Sequence, residues 1–313
     1  MLARAHVCAS GSSKICSLAV RIEATHVLAD PHLSWYVLDL STMRKPVLHW
    51  RAPFMSDSRF YKTEGIVIRL LPIGEADRIV TMFTPYHGKV RAVARGARRV
   101  KSRIGGHVEL LSRVRVMIRR GKTLDVVSQA ERIDGTMSLS GDLWRTTCGL
   151  YIAELIDRFT REELDNLALY KHLGECLAEL ITTSNIDLLV RYFELRMLSL
   201  VGFQPEVMRC VQCSGNLTPQ AQFFSPETGG VICHSCRGDR KSPRPLSLSA
   251  LKVLRLFTRS DLEKAMEVRV QPELAVELDH LLRQYIRHVL EQDLKSTDFL
   301  DLLRRQRETL TAS

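Results

Sequence analysis

The chain has 313 residues, of which 45% are hydrophobic and 26% are charged. That length suits roughly two domains, and the composition excludes a collagen-like, disordered or small disulfide-stapled chain. No stretch approaches the ~18 uninterrupted apolar residues that cross a bilayer, so we expect a soluble protein without a membrane partner.

The positive charge is concentrated in one segment. Lys and Arg number 45 against 35 Asp and Glu, a formal net charge of +10. Residues 59–137 hold 17 basic and 7 acidic side chains, a net of +10, whereas 1–58 carry +2 and 138–313 carry −2. A compact segment with that imbalance favours a polyanion as its partner.

Residues 1–58 differ from the rest of the chain. They show no sustained period of 2 or 3.6 and are interrupted by prolines. We predict a leader that is disordered or that precedes the true start, which would then be Met55 or, as a second choice, Met43. The alternative is a genuine targeting or regulatory arm, because the acid-free first 22 residues faintly resemble a transit peptide.

Residues 59–137 predict a small β-barrel. Short β-rich runs with Gly and Pro turn signals between them predict strands at 65–71, 78–84, 89–95, 113–119 and 123–128. Five short strands in so short a segment are typical of an OB-fold. Phe60 and Phe83 are expected in the core.

Gly121-Lys122-Thr123 resembles the end of a phosphate-binding P-loop. That loop needs a glycine where this chain has Val116, and it must join a strand to a helix. We therefore interpret the tripeptide as a hairpin turn and expect no nucleotide hydrolysis.

From about residue 138 the pattern becomes helical. Apolar stripes at helical spacing start at Leu143, Leu173 and Leu188, and Gly202-Phe203-Gln204-Pro205 ends the third. Cys148 and Cys176 fall on these stripes and are expected as core thiols. Further helices are predicted at about 247–258, 272–292 and 297–306. The predicted organisation is an α+β multidomain fold, in which an OB-fold barrel (59–137) precedes a helical domain (138–209 and 241–313) with an inserted cysteine module (210–240).

The cysteine module predicts a metal site. Cys210-Val211-Gln212-Cys213 and Cys233-His234-Ser235-Cys236 are separated by 19 residues, enough for a hairpin that brings the two pairs together. Four thiolates around one tetrahedral Zn²⁺ make a closed, structural site. Two local disulfides, or knuckles that have lost their metal, are the alternatives. His234 is expected to be a bystander.

The strongest binding signal is a run of cations without an acid between Gly88 and Gly106. We expect these residues to contact sugar-phosphate chains with weak sequence preference. The alternative is a solvated basic face, and Tyr86, beside a turn, is a candidate for stacking on a base. The residues predicted to bind DNA, with three from the following strands and turn, are Lys89, Arg91, Arg95, Arg98, Arg99, Lys101, Arg103, Arg115, Arg119 and Lys122.

Taken in order, several motifs resemble the bacterial RecO family of recombination mediators. The resemblance covers about 59–306. The motifs that carry it, besides the cysteine module, are Thr63-Glu64-Gly65-Ile66-Val67, Gly74-Glu75-Ala76-Asp77, Phe83-Thr84-Pro85-Tyr86-His87-Gly88-Lys89, Ala94-Arg95-Gly96-Ala97-Arg98-Arg99, Lys101-Ser102-Arg103, Tyr192-Phe193-Glu194-Leu195-Arg196 and Gly202-Phe203-Gln204-Pro205. The leader is a departure from the family's pattern.

The resemblance implies a non-enzymatic protein that binds single- and double-stranded DNA and anneals complementary strands. It also implies cooperation with a RecR-like ring protein and with the C-terminal tail of the single-strand-binding protein, and indirectly with a RecA-like recombinase. Arg196 is a candidate to receive that tail. The implied location is the bacterial cytoplasm, on the nucleoid.

Two other function classes remain open from the sequence. One is a zinc-ribbon adaptor for RNA or the transcription machinery. The other is a zinc-dependent DNA-processing enzyme, against which the closed four-cysteine shell and the lack of a carboxylate cluster argue. We identify no catalytic residue.

Overall fold

A computed structural model of the chain describes residues 59–134, 141–238 and 243–312, with side chains described as far as Arg307. The predicted leader lies outside the described residues. No helix within the described ranges is both long and apolar enough to span a bilayer.

The first part of the chain forms a closed five-stranded barrel. Its strands are β1 (Phe60–Ile73), β2 (Asp77–Thr84), β3 (Gly88–Ala94), β4 (Arg113–Arg119) and β5 (Asp125–Asp134). They close in the order β1-β2-β3-β5-β4, with β3 and β5 parallel and the other pairs antiparallel. The predicted OB-like barrel is confirmed, and Gly121-Lys122-Thr123 is the turn between β4 and β5.

Strand β1 pairs with two neighbours in succession. Its first half pairs with β4, from Phe60 opposite Arg119, and its second half pairs with β2, ending with Ile73 opposite Asp77. The β4–β5 turn and the β1–β2 turn therefore lie at opposite ends of a 14-residue strand. The register shifts between Val67 and Arg69, where a bulge bends the strand.

Alternation along the strands fills the barrel. The side chains of Val90, Ala92 and Ala94 in β3 point inward and are buried, as the period-2 pattern predicts. Val114, Val116 and Ile118 do the same in β4. The barrel interior is thereby closed by aliphatic side chains.

The described residues after the barrel are mostly helical and include a three-stranded sheet. The helices are α1 (Leu143–Phe159), α2 (Leu167–Thr182), α3 (Ile186–Leu200), α4 (His234–Arg237), α5 (Leu248–Arg259), α6 (Leu262–Met266), α7 (Pro272–Leu290) and α8 (Lys295–Ala312). The strands are β6 (Gln222–Ser225), β7 (Gly230–Ile232) and β8 (Arg244–Leu246), in the order β7-β6-β8.

Side-chain caps begin several of the helices. Asp142, Asn166, Asn185 and Ser247 each accept the backbone N–H three residues on, which satisfies a donor that the helix itself leaves unpaired. The α3 helix ends just before Gly202, whose φ of +86° is available to glycine at little cost.

Two positions differ from the expectations. Leu143 begins α1 but is 59% exposed, because it lies in the first turn, outside the buried stripe. Phe60 is 44% exposed at the start of β1, so its expected core position is wrong, whereas Phe83 is fully buried. Cys148 and Cys176 are buried in helices, as expected.

The helical domain packs against the outside of the barrel. The side chains of Ile66, Ile68 and Phe83 point outward from the barrel. They belong to the same apolar core as α1, α2 and α3. Beyond α1 the chain runs beside Gly88, where an added Cβ would lie 2.3 Å from the Leu164 carbonyl oxygen. The outer face of β1 to β3 is therefore partly covered by the helical domain.

A buried charge network joins helices α3, α7 and α8 of the domain. The Arg191 guanidinium lies 2.8 Å from Asp279 and 3.0 Å from Glu194, and both carboxylates are buried. Arg283 and Arg304 also pair with Asp279. Burial alone would raise the pKa of Asp279, but the neighbouring cations outweigh burial and lower the pKa to about 2. Charges buried this deeply persist because they are paired.

Candidate nucleic-acid interface and metal centre

The cysteine module brings its two CxxC pairs together through a hairpin. Strands β6 and β7 pair from Phe223 opposite Ile232 to Ser225 opposite Gly230, and the turn between them closes with the Gly229 amide donating to Pro226. The φ of Gly229 is +75°, so the predicted tight ribbon turn uses glycine's freedom.

The four sulfurs lie within 4.8 Å of one another. The Sγ atoms of Cys213 and Cys233 are 3.9 Å apart, close to the about 3.8 Å expected between ligands of a tetrahedral Zn²⁺ at its usual Zn–S distance. The backbone N–H of Cys233 donates to Cys210 Sγ at 3.3 Å. Burial opposes ionisation of the Cys210 thiol, but backbone N–H donors outweigh it and lower its pKa to about 6. The donor set fits a closed tetrahedral metal site, and His234 lies outside the cluster, against Phe223.

The basic loop, residues 95–103, follows β3 and carries five of the predicted DNA-binding residues. It is anchored on the β1–β2 turn, since the Arg98 amide donates to Ala76 O at 2.9 Å and the Gly96 amide donates to Asp77 Oδ1 at 2.7 Å. The five cations are all exposed, and no carboxylate of the described residues lies within ion-pair distance of them. They are Arg95, Arg98, Arg99, Lys101 and Arg103.

Lys89 and Arg91 of the same run face the helical domain instead. The Lys89 Nζ lies 3.1 Å from Asp157 Oδ1 and donates at 2.6 Å to the Asp157 carbonyl, and its side chain is only 13% exposed. Arg91 lies 3.5 Å from Glu162. The expectation that seven cations form one surface is therefore corrected: two of them are paired with acids of the helical domain, because the outer face of β3 packs against it.

The remaining three predicted residues lie on β4 and its turn. Arg115 pairs with Glu131 on β5 at 3.2 Å. Arg119 and Lys122 are exposed near the start of β1, at the end of that strand opposite the basic loop. The structure thus separates the predicted residues into three groups.

Two cations outside the predicted set lie beside these groups. Arg69, on β1, is half-exposed and shares Asp157 with Lys89 at 3.3 Å. Arg120 follows Arg119, and its guanidinium lies 5.2 Å from the Tyr61 ring centre. Arg120 adjoins the predicted Arg119 and Lys122 in sequence, which is the signal that could have found it. Arg69 carries no such signal, because its acid partner is 88 residues away.

Comparison with known proteins matches the barrel and the helical domain to the same family. Residues 55–136 match the family model described as recombination protein O N terminal, and residues 140–298 match the one described as recombination protein O C terminal. A DNA repair protein RecO from Roseiflexus sp. (strain RS-1) is 41% identical over 251 residues, which is 80% of this chain and 88% of the relative.

Two further relatives carry the same name. The DNA repair protein RecO of Symbiobacterium thermophilum is 38% identical over 253 residues, 79% of this chain and 99% of the relative. That of Dehalococcoides mccartyi (strain ATCC BAA-2266 / KCTC 15142 / 195) is 34% identical over 251 residues, 80% of this chain and 99% of the relative. Both relatives are matched over nearly their whole length.

Proposed function

Because the chain belongs to the RecO family of DNA repair proteins, whose names describe recombination and repair and no enzymatic reaction, we propose that it is a DNA-binding and strand-annealing mediator of recombinational repair. It acts on single- and double-stranded DNA through the sugar-phosphate backbone. No bond is made or broken in that role, so no catalytic residue is needed.

The observation that carries the proposal is the basic loop. Its five cations are held on a loop that is anchored to the β1–β2 turn by the Gly96 and Arg98 amides and by the Arg98 guanidinium, which donates to Gly74 O at 3.1 Å. None of the five is paired with an acid of the described residues. Unpaired cations at this density attract a polyanion, and contacts to phosphates give affinity without sequence readout.

Annealing needs two anionic strands to approach each other. A cationic surface lowers the repulsion between them and raises their local concentration. We propose that the basic loop supplies this surface, while Lys89 and Arg91 fix the barrel on the helical domain.

We propose one Zn²⁺ in the cysteine module, held by Cys210, Cys213, Cys233 and Cys236. When bound, it would cross-link the two knuckles and stabilise the module without contacting DNA. The sulfur spacing supports the ion and its structural role.

The partners implied by the family resemblance are also proposals. They are a RecR-like ring protein, the C-terminal tail of the single-strand-binding protein and, indirectly, a RecA-like recombinase, in the cytoplasm on the nucleoid. Arg196 is a weak candidate to bind that tail, because its side chain is half-buried and already donates to Thr258 O at 3.3 Å.

The test replaces four cations of the basic loop, Arg95, Arg98, Arg99 and Arg103, with Ala. We expect a large loss of affinity for single-stranded DNA and of the annealing rate, with and without single-strand-binding protein. The matched control removes four exposed cations of the helical domain, which are Lys171, Lys252, Arg269 and Arg305.

Equal losses of affinity in the two variants would mean that only the net charge of the protein matters, and would contradict the proposal. Stronger competition by RNA than by DNA for the wild-type protein would favour an RNA adaptor instead. Cleavage of labelled DNA with Mg²⁺ or Mn²⁺ would favour a DNA-processing enzyme.

A further inference from the structure

A groove of about 480 Å³ opens between the β2–β3 turn and the β4–β5 turn. It lies near the start of β1, whereas the basic loop contacts the other end of that strand. Its walls include Tyr61, Tyr86, His87, Arg120 and Glu162, and none of the basic-loop residues lines it.

Both turns are held by side-chain hydrogen bonds, of which all but the Gly121–Asp125 bond are buried or half-buried. The Asp125 carboxylate accepts the Tyr61 hydroxyl at 2.8 Å and the Gly121 amide at 3.1 Å, which fixes the β4–β5 turn against β1. The Thr84 hydroxyl accepts the His87 amide at 3.1 Å and donates to Gly88 O at 2.8 Å. The groove is therefore formed before any ligand arrives, which lowers the entropic cost of binding.

Tyr86 presents an available aromatic face at the groove. It is 68% exposed and makes no ring contact or hydrogen bond with any described residue, in contrast to Tyr61. The Tyr61 ring lies 5.0 Å from the His87 ring and is also within 5.2 Å of the Arg120 guanidinium. An exposed ring on a rigid turn is the element on which an unpaired base stacks.

The charges divide between the groove and its rim. The lining holds three cations, Lys89, Arg91 and Arg120, and three acids, Asp125, Glu162 and Glu163. Since Lys89 is also paired with Asp157 outside the groove, the interior has no excess positive charge and suits an uncharged base better than a phosphate. We define the rim as Arg119 and Lys122, which directly flank the lining residues Arg120 and Gly121 in the chain. Both are exposed, and no described carboxylate lies within ion-pair distance of either.

We propose that this groove binds an unpaired base of single-stranded DNA, stacked on Tyr86, with the adjoining phosphates on Arg119 and Lys122. The proposal rests on the proposed function and deepens it, because it gives the barrel two DNA sites of different kinds. The basic loop has cations and no aromatic residue and takes the backbone of either form, whereas the groove takes only a strand whose bases are free.

The test compares an oligothymidine strand with a duplex of the same length by fluorescence anisotropy. Tyr86→Ala should lower the affinity for the single strand about fivefold or more, which is the effect of losing one base–aromatic stack, and should leave the duplex affinity unchanged. Tyr86→Phe keeps the ring and should bind like the wild type. Phe299→Ala, which removes an exposed ring from α8, is the matched control.

An unchanged single-strand affinity in Tyr86→Ala, or an equal loss for the duplex, would overturn this inference and leave the role of the basic loop standing. Wild-type protein that bound neither probe would overturn the proposed function as well. A strand carrying 5-iodouracil supplies a direct readout: photocrosslinks at Tyr86 support the groove, and crosslinks confined to other residues contradict it.

Discussion

The surroundings of individual cations, rather than their spacing in the sequence, decide what each of them does. Lys89 and Arg95 belong to the same run of cations and to the same predicted strand, 89–95, yet Lys89 is nearly buried against Asp157 and Arg95 is exposed. A buried cation paired with a carboxylate stabilises the fold, whereas an exposed and unpaired one is available to a polyanion.

Removing the acid partner of Lys89 should therefore destabilise the protein. Asp157→Ala leaves a nearly buried ammonium without its carboxylate and removes a partner of Arg69, so we expect the free energy of unfolding to fall by about 1–3 kcal/mol. Glu162→Ala breaks an exposed pair with Arg91 and should cost less than about 1 kcal/mol. Urea denaturation of both variants measures the difference, and equal losses would contradict the assignment of Lys89 as the interdomain contact.

His172 makes the stability depend on pH. Burial lowers the pKa of this imidazole to about 4, and its ring stacks on Phe193 with centres 5.1 Å apart. Because the folded pKa lies below the ordinary value of about 6.5, the unfolded state takes up the proton first as the pH falls. Its contribution is fully present above pH 6.5 and is lost as the pH falls towards 4.

The expected size of this effect is about 2 kcal/mol between pH 7.5 and pH 5. His172→Gln keeps a polar side chain that does not titrate, so the stability difference between wild type and variant should shift by that amount in favour of the variant at the lower pH. Urea denaturation at the two pH values measures it. A difference that does not change with pH would show that the imidazole is not held neutral in the fold.

Among the structural elements, β3, β4 and the cysteine hairpin could be predicted closely, whereas β5 continues to Asp134, well beyond its predicted end at residue 128. Period-2 alternation fixed β4 to the residue and β3 to within one residue, since the inward positions are filled by Val, Ala and Ile throughout. The extension of β1 back to Phe60 was not predicted, because residues 60–64 pair with β4, a partner more than 50 residues away that no local pattern reveals.

The cysteine module should stabilise the fold without taking part in DNA binding. Cys210→Ser removes one of four thiolates, so we expect loss of bound zinc and a lower Tm, with DNA affinity largely kept, because the four sulfurs form a closed site without an open position. Zinc content and thermal unfolding are measured beside DNA binding. Gln212→Ala, an exposed position in the same knuckle, is the control.

Loss of DNA binding in a Cys210→Ser protein that remains folded would place the module in the DNA interface. Unchanged zinc content would contradict the assignment of Cys210 as a ligand.

For the whole molecule, packing of the helical domain on the barrel determines which cations remain available. Ile66, Ile68 and Phe83 on the outer face of the barrel join the helical core, and this carries Lys89 and Arg91 onto acids of residues 157–162. The sequence predicts the two folds, because each has its own period. It does not predict which barrel face is covered, because that depends on contacts between residues about 70 positions apart.

The central claim is that DNA phosphates are bound by the basic loop, and the salt dependence of binding tests it most directly. For a single strand, each phosphate contact adds about 0.7 to the slope of log K against log salt concentration. Replacing Arg95, Arg98, Arg99 and Arg103 with Ala should flatten that slope by up to about 3, while the four-cation control of the helical domain keeps the wild-type slope. An unchanged slope in the loop variant, or an equal change in the control, would contradict the account.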